Sequence, residues 1–272
     1  MLRDITIGQF FPGTSIVHRL DPRYKIIITL IFIVMLFASS QIPSLIPGVV
    51  FAILALVLSK IPFSMIGKSL KPIIPLIIFT TIINLFLYDG ETLVKFGIFE
   101  ITREAVENSI FTIVRVVFLI AGSSLLTYTT SPIMLTDAIE RLLAPLKKVN
   151  FPVHDLAMMM TIALRFIPTI IEETDKIMSA QKARGANIET GSLMQRAHAM
   201  VTILIPLFVS AVKRAGELAL AMECRCYRGD IGRTRMKQLK SGAKDYIAIA
   251  VTIAFLASVF VLNYVFKNFA LF

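Results

Sequence analysis

Five long apolar runs, separated by short polar segments, dominate the pattern of the chain. They cover residues 24–40, 43–59, 71–88, 108–128 and 246–266. Crossing about 30 Å of hydrocarbon takes about 20 residues of α-helix, and shorter runs of about 17 also suffice. The pattern therefore predicts an all-α, polytopic membrane protein with about five transmembrane helices.

Residues 131–245 follow a different pattern, because they are too polar for the membrane throughout and too apolar for a loop. Ser131 and Pro132 form a helix-start signal, and apolar residues then recur at helical spacing. Two longer helices are predicted at about 154–183 and 192–223, each with one internal proline, Pro168 and Pro206, as a kink. They resemble two copies of one layout.

Three segments follow from these patterns. A membrane domain with the first four transmembrane helices covers residues 1–130. A domain of long helices, two of which end near residues 184 and 225, covers residues 131–245. The last transmembrane helix belongs to residues 246–272.

Charge orients the spans in the membrane. Basic residues flank the first two spans on one side, at Arg19, Arg23, Lys25, Lys60, Lys68 and Lys71, whereas residues 89–107 are mainly acidic. Residues 131–245 carry 17 Lys and Arg against 11 Asp and Glu. Because loops rich in Lys and Arg stay inside, we expect a cytoplasmic amino terminus, a cytoplasmic segment 131–245 and an outer carboxyl terminus.

Composition supports a bilayer as the solvent of this chain. Of its 272 residues, 56% are hydrophobic and 17% are charged, and the mean hydropathy is +0.77. The formal net charge of +10 could attract nucleic acid, an anionic membrane surface or acidic proteins. The basic residues border the membrane segments and alternate with acids, so we expect no nucleic-acid partner.

Signals for catalysis and metal binding are weak. Gly67, Lys68 and Ser69 resemble the end of a phosphate-binding loop, but that motif requires glycine at position 62, which is Pro62. A structural zinc site needs about four ligands, whereas the three histidines are scattered and only two cysteines, Cys224 and Cys226, occur. We therefore expect no catalytic residue and no metal site in this chain.

Arg115 lies about seven residues inside the fourth apolar run. A charge at that depth is costly unless its side chain reaches the interface or is paired. One interpretation is that Arg115 extends to the outer surface. The other is an intramembrane polar contact, either with another span or with a partner subunit.

Two arginine motifs end the long helices of residues 131–245. Each places an arginine between two small side chains near a predicted helix end, namely Ala183, Arg184 and Gly185 in the first copy and Cys224, Arg225 and Cys226 in the second. Small neighbours let another backbone approach, and a guanidinium can bind a carboxylate through two hydrogen bonds. The alternative is that each arginine complements the negative end of a helix dipole.

These motifs, with the run GTSIVHRLDPRYK at residues 13–25, resemble the transmembrane T component (EcfT family) of energy-coupling factor (ECF) transporters, which belong to the ABC type. The resemblance covers nearly the whole chain. It implies that residues 131–245 are a coupling domain and that the arginine motifs dock on ATPases. The second motif departs from Ala-Arg-Gly at both flanks, which weakens the expectation that the two sites are interchangeable.

The resemblance also implies partners and cofactors. We expect two ABC-type ATPase subunits, a substrate-binding membrane S component that imports vitamins or transition-metal ions, and a multi-pass location in the cell membrane. ATP and Mg²⁺ would bind the ATPases, and this chain would hold no cofactor. A secondary transporter that acts without ATPases and an intramembrane enzyme are the alternatives; the apolar spans disfavour both, because they show neither midplane polar groups nor a nucleophile with its base.

Overall fold

The computed structural model describes residues 10–87, 92–96, 99–149, 151–186, 192–229 and 241–269. It contains ten α-helices within these ranges: α1 (Ile16–Arg19), α2 (Pro22–Ala38), α3 (Ile42–Ser59), α4 (Phe63–Leu70), α5 (Ile74–Leu87), α6 (Arg103–Thr129), α7 (Pro132–Leu142), α8 (Val153–Ala183), α9 (Leu193–Cys224) and α10 (Ala243–Phe269). Short 3-10 segments cover Lys71–Ile73 and Ala144–Val149. The predicted all-α class is confirmed.

A small hairpin interrupts the helical order. Strands β1 (Thr92–Phe96) and β2 (Phe99–Thr102) pair in antiparallel fashion between α5 and α6. The sequence pattern predicts only a loop there. Two short runs rich in β-branched and aromatic residues, separated by two residues that include Gly97, are the signal that could have revealed it.

The chain divides into two compact units. Within the described residues, one contains residues 10–135 and 241–269, and the other contains residues 136–229. The division of the chain after residues 130 and 245 stays a prediction. We refer to the first as the membrane unit and to the second as the helical unit.

The membrane unit is built around α2, α3, α6 and α10. Helix α10 packs on α2 and α3, and α6 packs on the same two helices and on α5. Its buried core contains Phe32, Met35, Leu36, Leu45, Ala52 and Val259. Gly122 of α6 permits a close approach to α2, because a Cβ atom there would lie 2.2 Å from the ring of Phe32.

Six helical stretches within the described residues are long and apolar enough to cross a membrane: Ile42–Ser59, Phe63–Leu85, Arg103–Thr129, Val153–Ala183, Met194–Cys224 and Ala243–Phe266. Helix α2, with 17 residues, is slightly shorter than this group. A polytopic membrane protein is thus confirmed. The six differ from the predicted five because the first predicted span, α2, is too short to count, whereas α8 and α9 also qualify, although they are the least apolar of the six. The cytoplasmic placement of residues 131–245 stays a prediction.

Candidate functional site

The first arginine motif forms the carboxyl-terminal cap of α8. Arg184 is the capping residue, and Gly185 after it adopts a left-handed conformation with φ of 86°. The N–H of Gly185 donates to the carbonyl of Lys182 at 3.0 Å, and the N–H of Ala186 donates to that of Gln181 at 3.0 Å. These two bonds define a Schellman motif, which satisfies carbonyls that a helix end leaves unpaired.

The second motif ends α9 in the same way. Arg225 is the capping residue, and Cys226 takes the left-handed position with φ of 53°. The N–H of Cys226 donates to the carbonyl of Glu223 at 2.8 Å, and the N–H of Tyr227 donates to that of Met222 at 3.1 Å. A cysteine thus fills the position that glycine fills in the first motif. The two helix ends share one backbone geometry.

All six residues of the two motifs are exposed. Neither Arg184 nor Arg225 forms an ion pair with any residue in the part of the chain that the structure describes. Each helix end therefore presents an arginine with its five N–H donors turned to the surroundings, between side chains too small to screen it.

Contacts between α8 and α9 show that the two helices are antiparallel. Glu173 of α8 accepts a hydrogen bond from Arg214 of α9 at 2.7 Å and another from Ser210. Tyr227, just beyond the end of α9, donates to the sulfur of Met158 near the start of α8 at 2.9 Å. The two capping arginines consequently lie at opposite ends of the pair. Arg184 follows Met158 by 26 residues, which corresponds to roughly 40 Å of helix at about 1.5 Å per residue.

Comparison with known proteins identifies the family. A family model described as CbiQ, cobalt transport protein, matches residues 13–237. The "Energy-coupling factor transporter transmembrane protein EcfT" of Clostridium kluyveri is 54% identical to this chain over 250 residues, which cover 91% of this chain and 93% of that protein. The chain belongs to the EcfT family. The resemblance stated from the sequence is confirmed.

Two further EcfT proteins match over nearly their full lengths. That of Ruminiclostridium cellulolyticum is 49% identical over 266 residues, which cover 98% of this chain and 100% of the relative. That of Bacillus subtilis is 44% identical over 264 residues, which cover 97% and 100%. The chain is therefore the transmembrane component of an energy-coupling factor transporter.

The EcfT run at residues 13–25 contains a set of caps. Ser15 caps α1 by accepting from the N–H of His18 at 3.3 Å, and the His18 ring also lies 3.0 Å from the carbonyl oxygen of Phe11. Asp21 caps α2, where Pro22 occupies the first turn. The side chain of Asp21 is held by Arg23, whose guanidinium donates to it at 2.7 Å.

Long-range contacts attach this run to the rest of the membrane unit. The backbone N–H of Asp21 donates to the buried carboxylate of Asp245, at the start of α10, over 2.9 Å. The ammonium group of Lys25 donates to the carbonyl oxygens of Thr129 and His18 at 2.9 and 3.2 Å. The starts of α2 and α10 and the end of α6 are thereby held together. We call this group the terminal clamp.

Arg115 of EcfT lies inside the membrane unit. Its guanidinium donates to the carbonyl oxygen of Ser39, the residue that caps the end of α2, and lies 4.3 Å from the ring centre of Phe111. Of the interpretations open at the sequence level, this geometry corresponds to a polar contact with another span.

The sequence pattern does not reveal the partners in these contacts. Asp245 and Thr129 have no local pattern that marks them, and Glu173 and Arg214 are ordinary charged residues of amphipathic helices. Their roles come from long-range packing. Within the described residues, no group of three or more His, Cys, Asp or Glu side chains could hold a metal ion.

Proposed function

We propose that this EcfT chain couples two ABC-type ATPase subunits to a substrate-binding membrane S component. Arg184 and Arg225, with Ala183, Gly185, Cys224 and Cys226 beside them, dock in a groove of one ATPase each. The observation that carries the proposal is the repeated Schellman end with an exposed arginine, placed at the two opposite ends of one helix pair. One geometry presented twice suits two partners of the same kind.

The chemistry of the helix ends supports docking. A guanidinium that enters a carboxylate-bearing groove replaces water with two parallel charge-assisted hydrogen bonds. Truncation of such an interface arginine typically costs about 2 to 4 kcal/mol, which weakens binding about 30-fold to nearly 1000-fold. Loss of one arginine therefore releases one ATPase, and loss of both removes the connection to ATP hydrolysis.

The helix pair supplies a route for motion. Helices α8 and α9 are held together by Glu173, Arg214 and Ser210, so a force on one tip reaches the other helix. ATP-driven approach of the ATPases changes the angle between the two helices. We infer that this motion passes to the membrane unit and reorients the S component, which releases its cargo inside.

Several parts of this proposal concern the partners. ATP and Mg²⁺ bind the ATPases, and the substrate pocket belongs to the S component. The cargo is a vitamin or a transition-metal ion; the description of the matching family model names cobalt transport, whereas the names of the relatives give no substrate. The amino terminus and residues 131–245 face the cytoplasm, where the ATPases are.

Co-purification from native membranes tests the proposal. The tagged chain is compared with Arg184→Glu, Arg225→Glu and the double variant, and Arg165→Glu is the control because Arg165 is an exposed arginine in the middle of α8. We expect the control to retain the ATPases and the double variant to lose them while it remains in the membrane. Equal retention by the double variant would refute the docking role.

A further inference from the structure

The membrane unit contains a cavity of about 460 Å³ that is separate from the helix tips. It is bordered by α1, α2, α3, α6 and α10, and its volume is within the range of about 300 to 1,000 Å³ that is usual for small-molecule sites. The cavity is partly open to its surroundings. Every lining residue belongs to the membrane unit.

Small residues leave this space, and large apolar ones enclose it. Ala52, Ala55, Gly122 and Ala248 contribute little volume. The rings of Phe32, Phe51 and Phe255 form a continuous aromatic wall, with centroids 5.7 and 5.6 Å apart. An apolar space of this size inside a bilayer offers water few polar partners, whereas a hydrocarbon chain gains dispersion contacts along its whole length.

One end of the cavity is basic. Lys25, Thr129 and Lys244 line it there. Lys25 has donated its N–H groups within the terminal clamp, and Asp21 and Asp245 nearby offset the charges of Lys25 and Arg23. Lys244 is exposed and forms no ion pair with the residues described here, so one positive charge is left at the mouth.

Aromatic residues at the same end are typical of a membrane surface. Tyr24 and Tyr246 pack edge to face with ring centres 5.6 Å apart, next to the start of α2 and the start of α10. Tyrosine is common at the headgroup level of membrane proteins. The apolar part of the cavity then faces acyl chains, and Lys244 faces the headgroups.

We propose that the cavity is a binding site for an anionic phospholipid, with one acyl chain between α2, α3, α6 and α10 and the phosphate paired with Lys244. In the proposed orientation this lipid comes from the cytoplasmic leaflet. The site is independent of ATPase docking, so the failure of either proposal leaves the other standing.

Native mass spectrometry of the purified full chain with its co-purifying subunits provides the test. After removal of endogenous lipid, the protein is titrated with phosphatidylglycerol or phosphatidylcholine carrying the same acyl chains. We expect one tightly held phosphatidylglycerol per chain and weaker retention of phosphatidylcholine. Equal retention of the two lipids would overturn the proposal.

Two variants separate the head and the tail of the site. Lys244→Glu should lower phosphatidylglycerol retention at least about fivefold, because one lysine near an anionic surface contributes about 1 kcal/mol of binding free energy. It should leave phosphatidylcholine retention unchanged. Ala248→Phe fills the cavity and should lower the retention of both lipids. Unchanged retention by both variants would overturn the proposal.

Two control variants match these substitutions in chemistry but change residues outside the cavity. Lys68→Glu reverses an exposed charge in α4 outside the cavity, and Ala250→Phe adds the same ring to α10 at an exposed position that does not line it. Both controls should bind lipid as the wild type does. A lipid held by the isolated chain but absent from the assembled complex would overturn the proposal, because a partner subunit would then occupy the cavity.

Discussion

At each of the two helix ends, the residue after the capping arginine has a backbone conformation that side chains with a Cβ atom rarely adopt. Gly185 and Cys226 both have positive φ, which costs a residue with a Cβ atom roughly 1 to 2 kcal/mol. The sequence predicts that α8 ends at Gly185, since glycine is common there. It does not predict the same conformation at Cys226, because cysteine has no preference for it. The departure from Ala-Arg-Gly thus leaves the backbone geometry intact.

Substitution of Gly185 tests this geometry. Gly185→Ala should lower the free energy of unfolding by about 1 kcal/mol and weaken ATPase retention, because a Cβ atom is strained at that φ although space is open. Gly216→Ala, inside α9 with open space and no positive φ, should instead stabilise the helix slightly. Thermal unfolding in detergent measures both. Equal effects of the two substitutions would contradict the assignment.

Arg115 and Arg103 provide a second residue-level comparison within α6. Arg115→Gln should cost about 2 kcal/mol, because the buried carbonyl oxygen of Ser39 loses a charged donor. Arg103 forms an exposed pair with Glu107 at 3.1 Å, and Arg103→Gln should cost less than about 0.5 kcal/mol. Denaturation in detergent gives both values, and similar values for the two variants would show that the Ser39 contact adds no stability.

At the scale of elements, hydrophobic pattern and caps predicted most of the fold. Predicted helices at about 154–183 and 192–223 correspond to Val153–Ala183 and Leu193–Cys224, because Gly185 at the end of the first and Ser192 at the start of the second are strong local signals. The fourth span was predicted at 108–128, but α6 begins at Arg103, since its polar first turn is capped by Thr102 rather than marked by apolar residues. Pairing between α8 and α9 depends on contacts that no local signal shows.

Glu173 and Arg214 test the helix pair. Arg214→Glu should destabilise the chain by about 1 to 2 kcal/mol and reduce ATP-driven uptake, because Glu173 loses its partner next to a like charge. The exchange variant, Glu173→Arg with Arg214→Glu, should recover part of both losses. A double-mutant cycle on unfolding free energies measures the coupling. A coupling near zero would show that the pair does not hold the helices together.

At the scale of the molecule, the terminal clamp joins parts of the chain that are 224 residues apart in sequence. The positions of the first and last spans are predictable from the apolar pattern of the sequence. The run at residues 13–25 has no predicted structural role and serves there only as a family signature. The structure gives that run a physical role, since it caps α1 and α2 and bonds the start of α2 to the start of α10. Local sequence patterns do not predict this contact, because nothing near Asp21 or Asp245 in the sequence indicates that the two residues are neighbours in the fold.

Asp245→Asn tests the clamp. The variant weakens the hydrogen bonds to the N–H groups of Asp21 and Gly242, which lie 2.9 and 2.8 Å from the carboxylate, and should cost about 1 to 3 kcal/mol. Asp155→Asn is the control, because Asp155 is likewise in the first turn of a helix but is exposed. Thermal unfolding of the purified chains compares them. A loss as large in the control would contradict a specific role for Asp245.

The count of ATPase subunits on each purified chain tests the central claim most directly. Native mass spectrometry of the intact complex should show two ATPase subunits with the wild type, one with Arg184→Glu or Arg225→Glu, and none with the double variant. That series would establish one docking tip for each ATPase. Two ATPase subunits on the double variant would contradict the account.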